Sequence, residues 1–396
     1  MIYNTRLHFE TDKKCIVADD MLLTKDEIRT TAGSAMLDDY KSLFEAEALT
    51  RLEKAGFALT GKASVGEFAI DLLGETAYNG ANVKDGVFVN ASAEILKAGE
   101  AIASVGLDVN GSIRRAAAQN GLVSIKPTYG TVSRFGTIPV ACSGETVSVM
   151  AKDASTCAEV LATIAGHDDK DGTSLSQKDC DLANSYLAPV GRVAVLTDLT
   201  KLADAEVTAK IDAFKKSLEA MDIELCDVES EVIASANAAW NVLMCAELCN
   251  NVSRYDGVKY GHRAESFNGI DELYTNSRTE SFGELLKCAI LFGSDTLSTD
   301  NYMKVYDKAM RVRRVISEAF GKLFEQYDAV LMPACSAMAY SADIESDKAF
   351  TENCFTAPAS ITGLPAVVFG GVQLVGKALS DANLLELAKK YEKEAK

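Results

Sequence analysis

The sequence predicts an α/β architecture, a mixed or parallel β-sheet covered by helices on both faces. Short apolar runs such as Arg192-Val-Ala-Val-Leu196 and Tyr327-Asp-Ala-Val-Leu-Met-Pro333 have the length and β-branched content of buried strands. Between such runs lie amphipathic stretches of helical length, for example Asp204 to Met221, and strands alternating with helices imply a sheet with helical layers. The 396 residues, 48% of them apolar, can bury a sizeable core and allow one large domain or two intimate lobes; the chain is read as a single domain over 1–396 with a helical insert at about 237–320.

Each element has a local reason. The alternating run Ile2 to Phe9 predicts an edge strand that carries His8. Residues 40–55 predict a helix whose apolar face is Leu43, Ala46, Leu49 and Leu52, stopped by Gly56 ahead of a short strand, Phe57-Ala-Leu-Thr60. Ala93 to Ser104 predicts another helix, and Gly121 to Pro127 a strand ended by proline. Periodicity breaks between Ser176 and Val190. Trp240 falls on the apolar face of the insert, Ala366 to Gln373 joins two strands, and Asp381 to Lys393 is amphipathic.

Composition removes several function classes. A formal charge of −17 argues against direct nucleic-acid binding, which needs positive surface. The one basic cluster, Lys308 to Arg314, places Arg311, Arg313 and Arg314 on adjacent helical faces, as on a solvated surface. No run of 18 uninterrupted apolar residues or signal-peptide layout is present, so no membrane association and a cytoplasmic location are expected. Ten cysteines without a Cys-x-x-Cys pair read as reduced, mostly buried thiols, Cys245 and Cys249 included, and neither metal nor cofactor is expected.

The stretch Gly106-Leu-Asp-Val-Asn-Gly-Ser112-Ile-Arg-Arg-Ala-Ala-Ala118 bears most on chemistry, because it sets a hydroxyl at the start of an alanine-rich helix. First-turn amides lack intrahelical partners, so Ser112 would act as nucleophile while the backbone at Val109, Asn110 and Gly111 held an oxyanion. The same residues also make an ordinary turn and N-cap. A serine nucleophile needs a base, and none of His8, His167 and His262 is spaced as a convincing partner. Cys142, next to Ser143-Gly144, likewise lacks an accompanying base.

Five segments then match a family in its own order: Ile28-Arg-Thr-Thr-Ala-Gly-Ser34, Leu49 to Ala69, Gly111-Ser-Ile-Arg114, Lys126-Pro-Thr-Tyr-Gly to Gly136, and Ile164-Ala-Gly-His to Ser174. On these the chain resembles the amidase-signature family, most closely its amidotransferase members, with weaker matches reaching Gly376. The resemblance implies the family fold, a large mixed β-sheet covered by helices on both faces, and an amide hydrolysis or ammonia-releasing chemistry that uses a serine nucleophile, a second serine in a cis peptide, and a lysine base. It puts the nucleophile at Ser112.

It also exposes departures. Ala18, in Val17-Ala-Asp-Asp20, stands at the lysine position, Phe88 at the cis-serine position 24 residues before Ser112, and Asn110 where the family has glycine. Lys13 and Lys14 lie four or five residues upstream of Ala18, too far along a strand advancing about 3.3 Å per residue to replace it without a register change. Lys287-Cys-Ala-Ile290 replaces basic residues that the resemblance places near the substrate pocket, and shortened loops leave the mouth either open or collapsed. The expectation is therefore a catalytically degenerate homologue that binds a protein partner, a second copy of itself or a small amide-like ligand. The alternative is a working amidase or amidotransferase-like protein in which an unorthodox base serves Ser112.

Overall fold

The computed structural model describes residues 2–7, 12–182, 188–345 and 347–394. Thirteen strands are described: β1 Tyr3–Arg6, β2 Cys15–Asp19, β3 Ala58–Ala63, β4 Val83–Lys84, β5 Val87–Phe88, β6 Ala103–Asp108, β7 Val123–Lys126, β8 Thr146–Ala151, β9 Arg192–Leu196, β10 Glu224–Val228, β11 Ala329–Met332, β12 Ala366–Phe369 and β13 Val372–Gly376. Eleven form one sheet in the order β1-β3-β2-β6-β8-β7-β12-β13-β11-β9-β10, and β4 with β5 make a separate hairpin. The sheet is mixed: β2 runs parallel to β3 and β6, β9 runs parallel to β10 and β11, and the strands between are antiparallel.

The flanking helices are α1 Glu47–Lys54, α2 Ala91–Ala98, α3 Ser112–Asn120, α4 Ala154–Ile164, α5 Thr197–Thr200, α6 Ala205–Ala220, α7 Glu231–Ala234, α8 Ala236–Val252, α9 Ile270–Ser281, α10 Glu284–Thr296, α11 Asp307–Leu323, α12 Lys348–Glu352, α13 Ala357–Thr362 and α14 Asp381–Glu394. Asp204 caps α6 by accepting from Val207 N, as its position before the periodic stretch predicts. The stretch Glu231–Val252 is long and apolar enough to cross a membrane, but half of it is buried. Within it α8 is a core helix, packed by α10, α11 and α13, and Trp240 lies inside.

Three predicted elements shift. The helix over 40–55 is confined to α1, because the Ser42 hydroxyl accepts from Phe44 N and turns the chain beforehand. Leu43 is consequently 98% exposed rather than on the apolar face, while Phe44 stacks on Phe135. The helix over 93–104 stops at Gly99, whose left-handed conformation (φ 78°) ends it and frees Ala103 and Ser104 to enter β6. The edge strand is β1 alone, and His8 and Phe9 lie outside the described residues, as do 183–187 of the interruption at 176–190.

Burial along β6 is complete, from Ala103 to Asp108, so the polar atoms at its end must be paired. Asp108 receives both Nε and Nη2 of Arg114 at 2.9 Å, with neither side chain exposed. Arg114 also donates to the Thr356 carbonyl, Gln373 Oε1 and Ser360 Oγ, at 2.9–3.0 Å. Removing one partner of such a pair leaves an uncompensated buried charge. Arg114→Ala is expected to destabilise the fold by about 3–5 kcal/mol, read as a lower urea midpoint.

Candidate active site

The turn after β6 brings the chain to Ser112, the first residue of α3. Gly111 adopts φ 85°, and a side chain there would strike Thr356, so both the bend and the close approach require glycine. Ser112 is 8% exposed, and its hydroxyl makes no hydrogen bond among the described residues. Asn110 is completely buried. Its Nδ2 donates to the Ile70 carbonyl and its Oδ1 accepts from Trp240 Nε1, each at 2.8 Å. Its own carbonyl receives Arg115 Nη1 at 2.8 Å and Thr356 Oγ1 at 2.7 Å. The Val109 carbonyl faces Ser360 Oγ at 3.5 Å. The Asn110 side chain thus fastens the turn to its surroundings.

Ala18 is fully buried in β2, in register with Val105 of β6 on one side and Lys62 of β3 on the other. Lys62 is the nearest lysine by register, yet its amine is committed elsewhere. It donates to the Leu22 carbonyl at 2.7 Å and Thr30 Oγ1 at 2.9 Å and pairs with Asp20 at 3.1 Å, and burial lowers its pKa. Phe88 is half-buried in the β4–β5 hairpin, where its N–H donates to the Tyr340 carbonyl and its ring packs against the core. The hairpin is further held by the contact of Ala342 N with the Gly86 carbonyl. A strand-like hairpin therefore stands where the resemblance places a glycine-rich loop.

The other candidates are occupied away from Ser112. His167 contacts Asp169 and the Leu175 carbonyl, and His262 contacts Glu280 Oε2 at 2.7 Å, both rings partly exposed. Lys14 pairs with Glu159. The Cys142 thiol accepts from Asn251 Nδ2 at 3.5 Å, and burial pushes its pKa up, away from the thiolate. Arg311 and Arg314 are exposed, paired with Asp307 and Glu318. Arg313 departs from the predicted solvated surface: it reaches inward and donates to Ser143 Oγ and the Ser143 carbonyl at 3.0 and 2.8 Å. Two surface hollows, of about 650 Å³ between α4 and α14 and about 620 Å³ beside Tyr40, Tyr78 and Tyr260, are lined by none of residues 109–112.

Sequence reasoning missed a set of buried ionisable groups around this turn. Arg115 binds the carbonyls of Asp71 and Leu72, and so ties the 66–76 loop to α3. In that loop Glu75 accepts from the amides of Leu72, Leu73 and Gly74, while Glu67 bridges Ser34 Oγ and Gly283 N at 2.7 and 2.8 Å. Burial raises the pKa of Glu67 to about 7, raises Glu75 and Asp71 as well, and carries Asp19, bonded to Ser92 Oγ at 2.7 Å, to about 7. One signal existed: Arg114 and Arg115 sit in a helix with no room for an exposed face, and Lys62 sits inside a buried strand.

Residues 91–385 match the family model described as Amidase. The A component of the glutamyl-tRNA(Gln) amidotransferase of Acinetobacter baumannii is 34% identical, over 94% of this chain and 80% of its own length. The crystal structure of the corresponding protein from Thermotoga maritima superposes with a TM-score of 0.80 at 26% identity, covering 99% of this chain and 87% of that one. A structure described as an unexpected vestigial protein complex that reveals the evolutionary origins of an s-triazine catabolic enzyme is similar in fold, with a TM-score of 0.76 at 21% identity, over 96% and 84% of the two chains.

The raised carboxyls set a pH dependence. Each holds a proton in the folded chain at pH values where the unfolded chain, near 3.8 or 4.5, has lost it. Stability therefore falls as pH rises from about 5 to 7. Lys126, lowered to about 7 by burial, has the opposite sign and acts only above that. The melting temperature is expected to be higher at pH 5.5 than at pH 7 by differential scanning fluorimetry; a steady rise across this interval would contradict the burial of Asp19 and Glu67.

Proposed function

The chain belongs to the amidase family, and from that premise we propose that it is a catalytically degenerate member that keeps the scaffold and has lost the hydrolysis. The observation that carries this reading is the absence, among the described residues, of any hydrogen-bond partner for the Ser112 hydroxyl, with an alanine methyl at the position expected to supply the base. An unactivated serine is a weak nucleophile, and loss of one general base removes about 10²- to 10⁴-fold in rate. Closure of the turn by Asn110 points the same way. What remains is recognition, by a protein partner or a second copy, in a cytoplasmic setting that suits ten free thiols. The association of a similarly folded protein in a vestigial complex supports a partner. Arg278 turns inward to the carbonyls of Val252 and Tyr255, which makes it a fold-preserving contact. The exposed stripe Cys288, Leu291 and Phe292 on α10 is the better docking candidate.

A second reading, an active amidase or amidotransferase-like protein, is favoured by the activities for which the relatives are named. Its base would be Lys62, one strand from Ala18, released from Asp20 by a rearrangement. Ammonia release from glutamine, asparagine and aryl amides separates the two. Release at the buffer rate, unchanged in Ser112→Ala, is expected; turnover that disappears in Ser112→Ala and in Lys62→Met would establish the second reading instead.

A further inference from the structure

Three tyrosines from separate parts of the chain meet at the hollow of about 620 Å³. Tyr40 follows the Ser34 turn, Tyr78 follows the 66–76 loop, and Tyr260 lies between α8 and α9. One segment, 33–40, holds the walls together. The Gly33 carbonyl accepts from Tyr78 N and the Met36 carbonyl from His262 N, both at 2.9 Å, and the Leu37 carbonyl accepts from Tyr40 N at 3.0 Å. Gly261 adopts φ 84°, and a side chain there would strike the Met36 carbonyl, so the loop carrying Tyr260 needs glycine to come this close. The rings are braced as well. Tyr260 lies 6.0 Å from Tyr40, centre to centre, and the buried Tyr255 meets it edge-on at 6.0 Å. The Tyr78 hydroxyl donates to Asp38 Oδ1, which also takes Arg29 Nη1 at 3.1 Å.

The charges around this hollow are unevenly committed. Lys41 pairs with Glu27 and His262 with Glu280, each at 2.7 Å, and Arg263 lies over the Phe267 ring, 5.5 Å from its centre. Every basic group on the rim therefore has a seat. Asp39 is exposed and has no ion-pair or hydrogen-bond partner among the described residues. We propose that the hollow binds a small organic cation, a molecule carrying a quaternary ammonium or protonated amine, with the Tyr40 and Tyr260 rings against its positive head and the Asp39 carboxylate as its counter-charge. An aromatic face carries the negative end of the ring quadrupole and attracts a cation placed over it. The formal charge of −17 on the chain draws positive ligands in the same sense. The volume falls in the range of small-molecule sites, about 300–1,000 Å³. None of residues 109–112 lines the hollow, so the assignment stands whether or not the chain hydrolyses amides.

Calorimetric titration of the full chain with choline, and separately with 3,3-dimethylbutan-1-ol, tests this, because the alcohol has the same shape with carbon in place of the charged nitrogen. Choline is expected to bind at one saturable site, and the alcohol about fivefold more weakly or worse. No saturable choline binding, or equal affinity for the two, overturns the proposal. Variants then locate the site. Tyr260→Phe keeps a ring and is expected to keep choline affinity, whereas Tyr260→Leu is expected to lose about three- to fivefold. Asp39→Asn is expected to weaken choline several-fold at low salt and to leave the alcohol unchanged. Choline affinity untouched by Tyr260→Leu and Asp39→Asn, or equal losses in Tyr260→Phe and Tyr260→Leu, overturns the placement. Tyr260 is 38% exposed and Asp39 is exposed, so both are open to substitution. Should circular dichroism show the Tyr260 variants unfolded, Asp39→Asn and the comparison of choline with its uncharged isostere decide.

Discussion

The pairing of Arg114 with Asp108 is the constraint on which the rest of this molecule depends. It closes the end of a fully buried strand, β6, onto the first turn of α3, and its remaining donors reach Thr356, Ser360 and Gln373, more than 240 residues away along the chain. A carboxylate and a guanidinium with no exposure are stable together only when every polar atom is satisfied. Here the two halves of the sheet supply those partners to each other. The Ser112 turn lies between the two members of this pair, so the closure fixes its backbone.

Around that fixed turn the contacts are mutually consistent. Asn110 is not an isolated intrusion, because its amide is used at both ends, and Trp240 and Ile70 are the groups that use it. Phe88 belongs to a hairpin with its own backbone bonds to Tyr340 and its neighbours.

The architecture was legible in the sequence because the strands are apolar runs and the helices carry their own caps, as Asp204 does for α6. Ser112 was legible because a glycine turn before an alanine-rich helix is a local pattern. Leu43 misled, since periodicity alone cannot show that Ser42 turns the chain before α1 begins. The buried charges were harder. No local pattern marks Glu67, Asp71 and Glu75 as buried before the fold places Arg115 and Gly283 beside them, and no spacing rule connects Trp240 to Asn110 across 130 residues.

The strand order has a consequence for how the chain is made. β7 is joined on one side by β8, close in sequence, but its other neighbour is β12, in register at Lys126 and Ala366. About 240 residues separate them, so at roughly 5–20 residues per second some tens of seconds pass in synthesis before that partner exists. Until then β7 presents a bare hydrogen-bonding edge in the middle of what will become the sheet. Such an edge is a template for pairing with another chain, so the nascent protein is most exposed to aggregation during translation of α4 through α13.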